Sequence, residues 1–398
     1  MRRTDDSWGM KCLCLAALCA LLVAAGPTSV PADTPHWGAH QLSTLLERMR
    51  AAPADGLFHI ADATEAVERA QASGDSARID AAATQAANAL LEAERHGCCG
   101  SARDAGWRID NGLPTGDHSA ELAAALDADE GANGAADGLN ALFDGSAPQH
   151  PNFLALKQAY QEELDPARRA TIVANMDRWR WMPRDLGPLY LLVNTAAFEA
   201  TLWEQGRPTG RWAVIVGKTR SPTPVFSASV TGVVFNPWWE IPPSIVAESV
   251  GALVRKHPAE AARRGYVVQN GRYRQRPGPG NSLGRMKLIM PNPYNVYLHD
   301  TPLQELFQQD MRAHSHGCVR VRDALGLAAT VLRYDRAAVD EIVEAGKTVA
   351  LPVPQPIPIY VAYFTAEPDD LGNLRFFPDV YGRDKRAGAV AAAKGCTR

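Results

Sequence analysis

The sequence is poor in cysteine, in basic segments and in long apolar runs. It has seven cysteines in 398 residues, and its formal net charge is -3. A chain without a basic excess lacks the electrostatic footprint by which proteins bind nucleic acid. No Walker or dinucleotide-binding glycine motif is present, so we expect no nucleotide cofactor. These absences leave an ordinary globular protein that is long enough for two or three domains.

The apolar run near the start predicts an export signal. Basic residues precede the 14 apolar residues from 12 to 25, and Ala32 stands where a signal peptidase would cut before Asp33. A run of this length is too short to cross a bilayer, although an uncleaved anchor is the alternative. We therefore predict that residues 1–32 are a signal peptide.

The cysteines do not form the pattern of a disulfide framework. Three of them lie in the predicted signal, which leaves Cys98, Cys99, Cys318 and Cys396. An exported protein can form disulfides, but any bridge among Cys98, Cys99 and Cys396 leaves one thiol unpaired. Cys318 stands apart from them, among polar residues and histidines.

The first half of the chain has the apolar spacing of helices. In "LSTLLERMRAA" the apolar residues recur at i, i+3, i+4 and i+7, and "RIDAAATQAANALLEAERHG" ends on Gly97 as a helix cap. We predict a helical scaffold region at 33–114. Residues 115–150 are rich in Gly, Ala and Asp, which predicts a linker or loose loop with weak helix, and 151–184 predict connecting helices.

The second half of the chain has mostly the residue pattern of β-strands. "LYLLVN", "FEATLWE" and "GRWAVIVGK" predict a meander, and "IPIYVAYFTA" is the last strong strand. A segment at 244–283 combines helical periodicity with many prolines and glycines. The pattern predicts an α+β protein with a β-rich, sandwich-like domain at 185–385, a helical insertion at 244–283 and a C-terminal tail at 386–398.

The chemistry of the sequence is concentrated in "YLHDTPLQELFQQDMRAHSHGCVRV", residues 297–321. A cysteine attacks a carbonyl as the thiolate, so it needs a base nearby, and His299 at the end of a strand is the best candidate. Gly317 allows the tight turn that points backbone N–H groups at a developing oxyanion. Arg320 offers a fork for a substrate carboxylate.

Two other interpretations of this segment remain open on spacing alone. His299, His314, His316 and Cys318 are all zinc-ligand types, but H-x-H-x-C is not the spacing of a closed structural site. His314 and His316 would also point to opposite faces of an extended segment. The remaining interpretation is a histidine-rich loop with no chemistry.

The segment resembles the active-site signature of the L,D-transpeptidases that have a YkuD-type catalytic domain. In that signature a histidine is followed, after a gap, by Ser-His-Gly-Cys. "DRWRWMPRDLG", "VFNPWWEIPPSI", "PGPGNSLGRMKLIMPNPYNVYLHDTP" and "PIPIYVAYFTA" are similar to blocks of the larger, periplasmic subgroup. The resemblance covers residues 175–385 strongly and residues 37–112 weakly, as that subgroup's helical scaffold region.

The resemblance implies a role for each residue of the motif. Cys318 is the implied nucleophile, and His299 is the implied base, with its other ring nitrogen held by the backbone carbonyl of Asp300. The residues implied to support the nucleophile loop and the oxyanion are Ser315, His316, Gly317 and Asp300. The implied substrate-binding residues are Arg320, Tyr294, Asn295 and Tyr297. The insertion at 244–283 is implied to cap the cleft as a mobile lid.

The implied reaction is the 3→3 cross-linking of peptidoglycan stem peptides in the periplasm. A donor tetrapeptide acylates the cysteine with release of D-Ala, and the side-chain amine of an acceptor stem resolves the thioester. This chemistry needs no metal and no organic cofactor, and carbapenems are expected to acylate the cysteine. The alternatives are an L,D-carboxypeptidase or endopeptidase, which hydrolyses the same intermediate, and a non-catalytic wall-binding protein. The expected partners are stem peptides, with a loose association with the envelope.

Overall fold

The computed structural model describes residues 35–97, 106–131 and 137–385. The predicted signal peptide, the cysteines at 98, 99 and 396 and the predicted tail at 386–398 lie outside the described residues. Within the described ranges, no helix is both long enough and apolar enough to cross a membrane.

The N-terminal region is helical, as the apolar spacing predicts. Its helices are α1 (Ala39–Ala51), α2 (Ala61–Ser73), α3 (Ser76–His96), α4 (Ser119–Gly131) and α5 (Asp137–Ser146). The apolar positions of α1 are buried, and Gly97 ends α3 with its N–H on the carbonyl of Ala93. Leucines and alanines of α1 and α3 form one core, which covers the apolar stripe that each helix exposes when isolated.

The structure differs from our prediction at 115–150, where we expected a linker with only weak helix. This segment forms α4 and α5, and Leu122, Leu126, Leu139 and Phe143 are buried in the same core as α1 and α3. Four large apolar side chains at helical spacing are enough to dock two short helices. The surrounding Gly, Ala and Asp residues concealed this pattern from an argument based on composition.

Two further helices lead to the sheet domain: α6 (Pro151–Glu162) and α7 (Pro166–Arg180). The buried guanidinium of Arg180, near the end of α7, contacts the carboxylate of Asp177 at 3.1 Å and the carbonyl of Asp55 at 2.9 Å. The Trp181 indole N–H donates to the carbonyl of His96 at 2.8 Å. These polar contacts fix the N-terminal helices against the sheet domain.

The sheet domain contains the strands predicted from residue 185 onward, preceded by one short strand. The strands of its main sheet are β1 (Trp107–Arg108), β2 (Leu189–Asn194), β3 (Glu199–Glu204), β4 (Arg207–Gly217), β5 (Val225–Phe235), β9 (Met286–Ile289), β10 (Leu298–His299), β11 (Ala313–Ser315), β12 (Val319–Val321) and β13 (Val349–Ala362). A separate hairpin pairs β14 (Ala366–Pro368) with β15 (Leu374–Phe376). The α+β fold class is therefore confirmed.

The main sheet has the order β1-β5-β13-β2-β3-β4-β12-β10-β9, and β9 also pairs with β5, so the sheet closes on itself. Alternate residues of β2 enter different cores. Leu191 and Val193 of β2 join a core with α11 (Ala324–Leu332) and α12 (Arg336–Glu344). Tyr190 and Leu192 join instead a second core with Ile172, Met176 and Trp179 of α7.

The strand β13 has prolines at alternate positions. They are Pro352, Pro354, Pro356 and Pro358. β13 pairs with β5 from Val349 onward, but with β2 only from Ile359. Among the described residues, the stretch 349–358 therefore has a strand partner along one edge.

The capping insertion at 244–283 is only partly helical. Its helices are α8 (Pro243–Ile245), a π-helix (Val246–Val250), α9 (Gly251–Lys256) and α10 (Pro258–Arg263). A small sheet of β6 (Trp239–Glu240), β8 (Arg272–Gln275) and β7 (Tyr266–Gln269) completes it. The β7–β8 turn is Asn270-Gly271, both at positive φ, a hairpin signal that our sequence analysis missed.

Candidate active site

The parallel pair β10–β12 brings the predicted nucleophile and base together. The pairing sets Leu298 opposite Val319 and His299 opposite Arg320. Leu298 and Val319 are buried in the core, so the alternate residues Tyr297, His299, Cys318 and Arg320 share the other face. Given about 4.8 Å between strands and about 3.3 Å per residue, the Cα atoms of His299 and Cys318 lie about 8 Å apart. Side chains on one face can bridge that separation.

His299 is held by a backbone carbonyl. Its Nδ1 lies 2.5 Å from the carbonyl oxygen of Asp300, and since a carbonyl only accepts, Nδ1 carries the proton and donates. The neutral ring then has a bare Nε2, which is the form required of a base. Burial of the ring lowers the pKa of His299 to about 3, and the charge of Arg320 acts in the same direction.

Cys318 is half-buried and is the free thiol of the described residues. Burial raises the pKa of the Cys318 thiol, while the backbone hydrogen bond of Tyr297 and the charge of Arg320 act against this rise. The Sγ lies 3.8 Å from the carbonyl oxygen of Asn295. The resting pair is therefore a neutral thiol beside a neutral imidazole, and the base must remove the proton during the attack.

The loop before Cys318 is tied down by two hydroxyl groups. Ser315 donates from Oγ to the carbonyl of Cys318 at 2.6 Å and accepts from the N–H of Gly317 at 3.0 Å. The buried Thr223 donates to the carbonyl of Gly317 and accepts from the N–H of Gly217, both at 2.9 Å. Gly317 has φ +119°, which a side chain disfavours. Its N–H donates to Ser315 Oγ, and the oxyanion role of the N–H groups near Cys318 stays a prediction.

Asp300 is fixed from both sides. Its carboxylate accepts from the backbone N–H of Arg285 at 2.8 Å, and its own N–H donates to the carbonyl of Met286 at 3.0 Å. A Cβ at Gly284, where φ is +61°, would collide with this carboxylate. The glycine lets the carboxylate approach, and the bonds hold the carbonyl that orients His299.

The predicted substrate-binding residues surround the pair but differ in exposure. Tyr297 is half-buried, and burial raises its pKa to about 12. Tyr294 is exposed, with its ring 5.2 Å from that of Phe226. Asn295 lies at the turn before β10 with φ +53°. The guanidinium Nε of Arg320 is buried without a hydrogen-bond partner in the described part of the chain.

The other two histidines of the motif point elsewhere. His314 is exposed on β11. The ring of His316 is also exposed, and its Nε2 lies 2.8 Å from a carboxylate oxygen of Glu248 and 2.9 Å from the ammonium of Lys218. The structure thus keeps both rings apart from His299. Among the described residues, no group of three or more His, Cys, Asp or Glu side chains is arranged to hold a metal ion.

Two residues near the pair were missed in our sequence analysis. Thr223 lies in a loop nearly a hundred positions before Cys318, and no local pattern links it to the motif. Lys287 on β9 pairs with His299, and its ammonium lies 5.1 Å from the ring centroid of Tyr297. The alternation of "MKLI" places Lys287 opposite the buried face, which was an available signal.

Comparison with known families supports the resemblance seen in the motif. Residues 188–350 match the family model of YkuD, the L,D-transpeptidase catalytic domain. The matched range contains His299, Cys318 and the capping insertion. A protein of Haemophilus influenzae named "Putative L,D-transpeptidase" is 28% identical over 219 residues, which cover 49% of this chain and 45% of the relative. The alignment therefore spans less than half of that relative's length.

Solved structures of L,D-transpeptidases overlap with the chain over a shorter part. One from Mycobacterium smegmatis is 14% identical, covers 44% of this chain and 58% of its own, and has a TM-score of 0.25. Another, in complex with imipenem, is 15% identical, covers 44% and 59%, and has a TM-score of 0.23. The family assignment of residues 188–350 rests on the sequence match.

Proposed function

We propose that the protein is a peptidoglycan L,D-transpeptidase, which forms 3→3 cross-links between stem peptides through an acyl-enzyme on Cys318. The match of residues 188–350 to the catalytic domain of that family supports the reaction class. The donor is a tetrapeptide stem that ends in D-Ala, and the acceptor is the side-chain amine of a second stem.

The observation that carries the proposal is the pairing of β10 with β12. It sets a half-buried thiol and a neutral histidine on one face of two adjacent strands, and the Asp300 carbonyl fixes the tautomer of that histidine. A backbone carbonyl here takes the place of the carboxylate in a serine-protease triad. This arrangement supports nucleophilic acyl transfer.

In the first half-reaction, His299 Nε2 takes the thiol proton as the Cys318 sulfur attacks the carbonyl of the third stem residue. The tetrahedral intermediate collapses, the C–N bond to D-Ala breaks, and His299 returns the proton to the leaving amine. A thioester and free D-Ala result.

In the second half-reaction, the acceptor amine attacks the thioester carbonyl while His299 removes a proton from the amine nitrogen. The C–S bond breaks, and the sulfur regains the proton from His299. One peptide bond has been exchanged for another. The energy is conserved in the thioester, so the cycle needs no other energy source.

The proposal is tested with the mature protein, a Cys318→Ala variant and disaccharide-tetrapeptides, with the products resolved by mass. We expect cross-linked dimers and free D-Ala from the native protein and neither from the variant. Tripeptides without dimers would show that water is the acceptor and would replace the transferase with a carboxypeptidase. Dimers formed equally by the variant would remove Cys318 as the nucleophile.

A carbapenem provides a second test of the thiol. Attack of the Cys318 sulfur on the β-lactam carbonyl opens the ring, so we expect the intact mass to increase by the whole mass of the drug. The Cys318→Ala variant should keep its mass. An unchanged native mass would contradict an accessible, activated thiol.

The proposed place of action is the periplasm, because the predicted signal at 1–32 would export the chain. Fractionation of cells that produce the full chain tests this. Recovery of the protein in the cytoplasmic fraction, with residues 1–32 still attached, would reject it.

A further inference from the structure

A carboxylate of the capping insertion lies among basic side chains next to the nucleophile loop. Glu248, on the π-helix, has one carboxylate oxygen 2.8 Å from His316 Nε2. Its other oxygen lies 3.6 Å from the ammonium of Lys218 and 3.7 Å from the guanidinium of Arg220. Three nitrogen-bearing groups of the sheet domain thus converge on one carboxylate from the insertion.

The imidazole of His316 can donate a hydrogen bond to this carboxylate only when Nε2 carries a proton. Its Nε2 lies within hydrogen-bond distance of both Glu248 and Lys218, and a single nitrogen cannot accept and donate at once. With a proton on Nε2, the ring donates to Glu248. Without that proton it accepts from Lys218, which leaves the two cations to hold the carboxylate.

The cluster borders the reacting thiol. His316 stands two residues before Cys318, and the backbone N–H of Lys218 donates to the carbonyl of Ser315 at 2.9 Å, so Lys218 is anchored to the nucleophile loop. Tyr297, which shares the strand face of Cys318, also packs against the small core of the capping insertion. The insertion therefore meets the site at an apolar seat and at this ionic contact.

The ionic contact is easy to exchange. The side chains of Glu248 and His316 are 44% and 41% exposed, and that of Arg220 is 74% exposed. Ion pairs in such positions contribute little to stability, because water solvates the separated charges nearly as well. Removal of Glu248 would leave two cations and a histidine facing solvent beside the nucleophile. Such a group attracts a carboxylate from the substrate.

We propose that Lys218, Arg220 and His316 form a carboxylate-binding subsite beside Cys318, which Glu248 occupies in the free protein and a carboxylate of the stem peptide takes over on binding. This exchange breaks the ionic contact between Glu248 and the sheet domain, while the apolar contact between the capping insertion and Tyr297 remains. The identity of the ligand as a stem peptide rests on the proposed function, whereas the subsite itself does not.

The subsite is tested first with two thiol reagents, without any peptide. The Cys318 sulfur attacks the reagent's disulfide, forms a mixed disulfide and releases one aryl thiolate. One reagent is the dianion 5,5'-dithiobis(2-nitrobenzoate), and the other is the neutral 4,4'-dithiodipyridine. The rates are followed by mass on the peptide that contains Cys318, so other cysteines do not interfere. The readout is the ratio of the dianion rate to the neutral rate.

We expect Glu248→Gln to raise this ratio about three- to tenfold, because the vacated cations attract the dianion. Adding Lys218→Gln or the exposed Arg220→Gln should return the ratio toward the native value. Glu260→Gln is the matched control, since Glu260 lies on the same insertion and pairs only with Arg263 and Arg264 among the described residues. An unchanged ratio in Glu248→Gln overturns the subsite. Equal acceleration with both reagents also overturns it, because Glu248 would then act only as a steric gate.

A second measurement identifies the source of the carboxylate. Donor tetrapeptides with a free or an amidated terminal carboxylate are compared by single-turnover acylation. We expect Lys218→Gln to raise the half-saturating concentration of the free donor about tenfold and that of the amidated donor hardly at all. If Lys218→Gln impairs only the reaction of the acyl-enzyme with the acceptor, the bound carboxylate belongs to the acceptor stem. If Lys218→Gln impairs neither donor acylation nor reaction with the acceptor, the stem peptide is rejected as the ligand. If the native protein forms no acyl-enzyme with any donor, the proposed function fails, while the reagent ratio still decides on the subsite.

Discussion

The arginines of α7 and the arginine of the candidate active site differ in their partners. In α7, Arg178 and Arg180 are almost fully buried, and each has a carboxylate partner, Asp384 at 2.5 Å and Asp177 at 3.1 Å. In the active site, Arg320 is half-buried, no carboxylate of the described residues pairs with it, and its Nε has no partner.

The difference separates arginines whose charge is paired with a carboxylate of the fold from an arginine that has no carboxylate partner among the described residues. Removing the partner of a buried ion pair leaves an uncompensated charge, so the α7 arginines belong to the stability of the chain. The position of Arg320 beside Cys318 costs desolvation without a compensating partner, and burial accordingly lowers its pKa. We expect changes in the two regions to separate stability from activity.

The largest effect is expected from His299→Asn. The amide can still donate to the Asp300 carbonyl, but it cannot take the thiol proton. General base catalysis contributes about 10²- to 10⁴-fold, so acylation of Cys318 should slow by that factor. Single-turnover mass spectrometry measures this rate, and thermal unfolding should be nearly unchanged. Acylation within a few fold of the native rate would contradict His299 as the base.

The converse change is Arg180→Met in α7. It removes the cation that contacts the carboxylates of Asp177 and Glu94, and we expect a loss of about 3–5 kcal/mol in the free energy of unfolding. Urea denaturation measures the loss. The acylation rate per folded molecule should stay near the native value. A large loss of activity in folded protein would mean that the junction also controls the site.

An intermediate effect is expected from Arg320→Gln. If the guanidinium binds a substrate carboxylate, its loss removes a charged hydrogen bond of about 1.5–3 kcal/mol, so the half-saturating donor concentration should rise about 10- to 100-fold. Stability should not fall, because no internal carboxylate loses a partner. If Arg320→Gln lowers the free energy of unfolding and leaves the half-saturating donor concentration unchanged, Arg320 stabilises the fold, as Arg178 and Arg180 do.

A smaller effect is expected at Thr223, which serves both fold and site. Thr223→Val keeps the shape but leaves the Gly217 N–H and the Gly317 carbonyl without their partner, at a cost of about 1–3 kcal/mol in stability. The loosened loop should also slow acylation. Thr223→Ser keeps the hydroxyl and is the matched control. A loss with Thr223→Ser but none with Thr223→Val would show that the methyl group, and not the hydroxyl, matters.

The smallest effect is expected from pH. Because burial lowers the pKa of His299 to about 3, its base form persists far below pH 6.5. The acylation rate should therefore stay within about twofold from pH 7 to pH 5. Stability must be followed in parallel, since the unfolded histidine takes up a proton below pH 6.5 and the buried one does not, so stability falls with pH there. A tenfold loss of rate per unit below pH 6.5, in protein that stays folded, would contradict a neutral buried base.

The sequence predicted the elements that depend on local patterns. The apolar spacing of α1 and the apolar runs of β2 and β13 are strong signals, and both were confirmed. The helices α4 and α5 were underestimated as weak helix in a linker, because their formation depends on the tertiary docking of three leucines and one phenylalanine within a polar, glycine-rich segment. The β7–β8 hairpin had a local signal, Asn270-Gly271, that we overlooked.

The same limit applies to the site. The motif from His299 to Cys318 lies within 20 residues, so it can be recognised in the sequence. The contact of His299 with the Asp300 carbonyl agrees with the role that the resemblance implied. Thr223 and Glu248 reach the nucleophile loop from distant segments, so their contacts depend on the sheet closure and on the seating of the capping insertion. No spacing in one sequence encodes those distances.

The prolines of β13 have a consequence for how the protein behaves among other chains. An unpaired sheet edge can pair with strands of other chains, and such pairing depends on free backbone N–H donors. Along 349–358 the four prolines remove four donors from ten residues, on a stretch with a strand partner along one edge in the described structure. A neighbouring misfolded chain would find few backbone N–H donors there, so this stretch of β13 is protected against edge-to-edge aggregation.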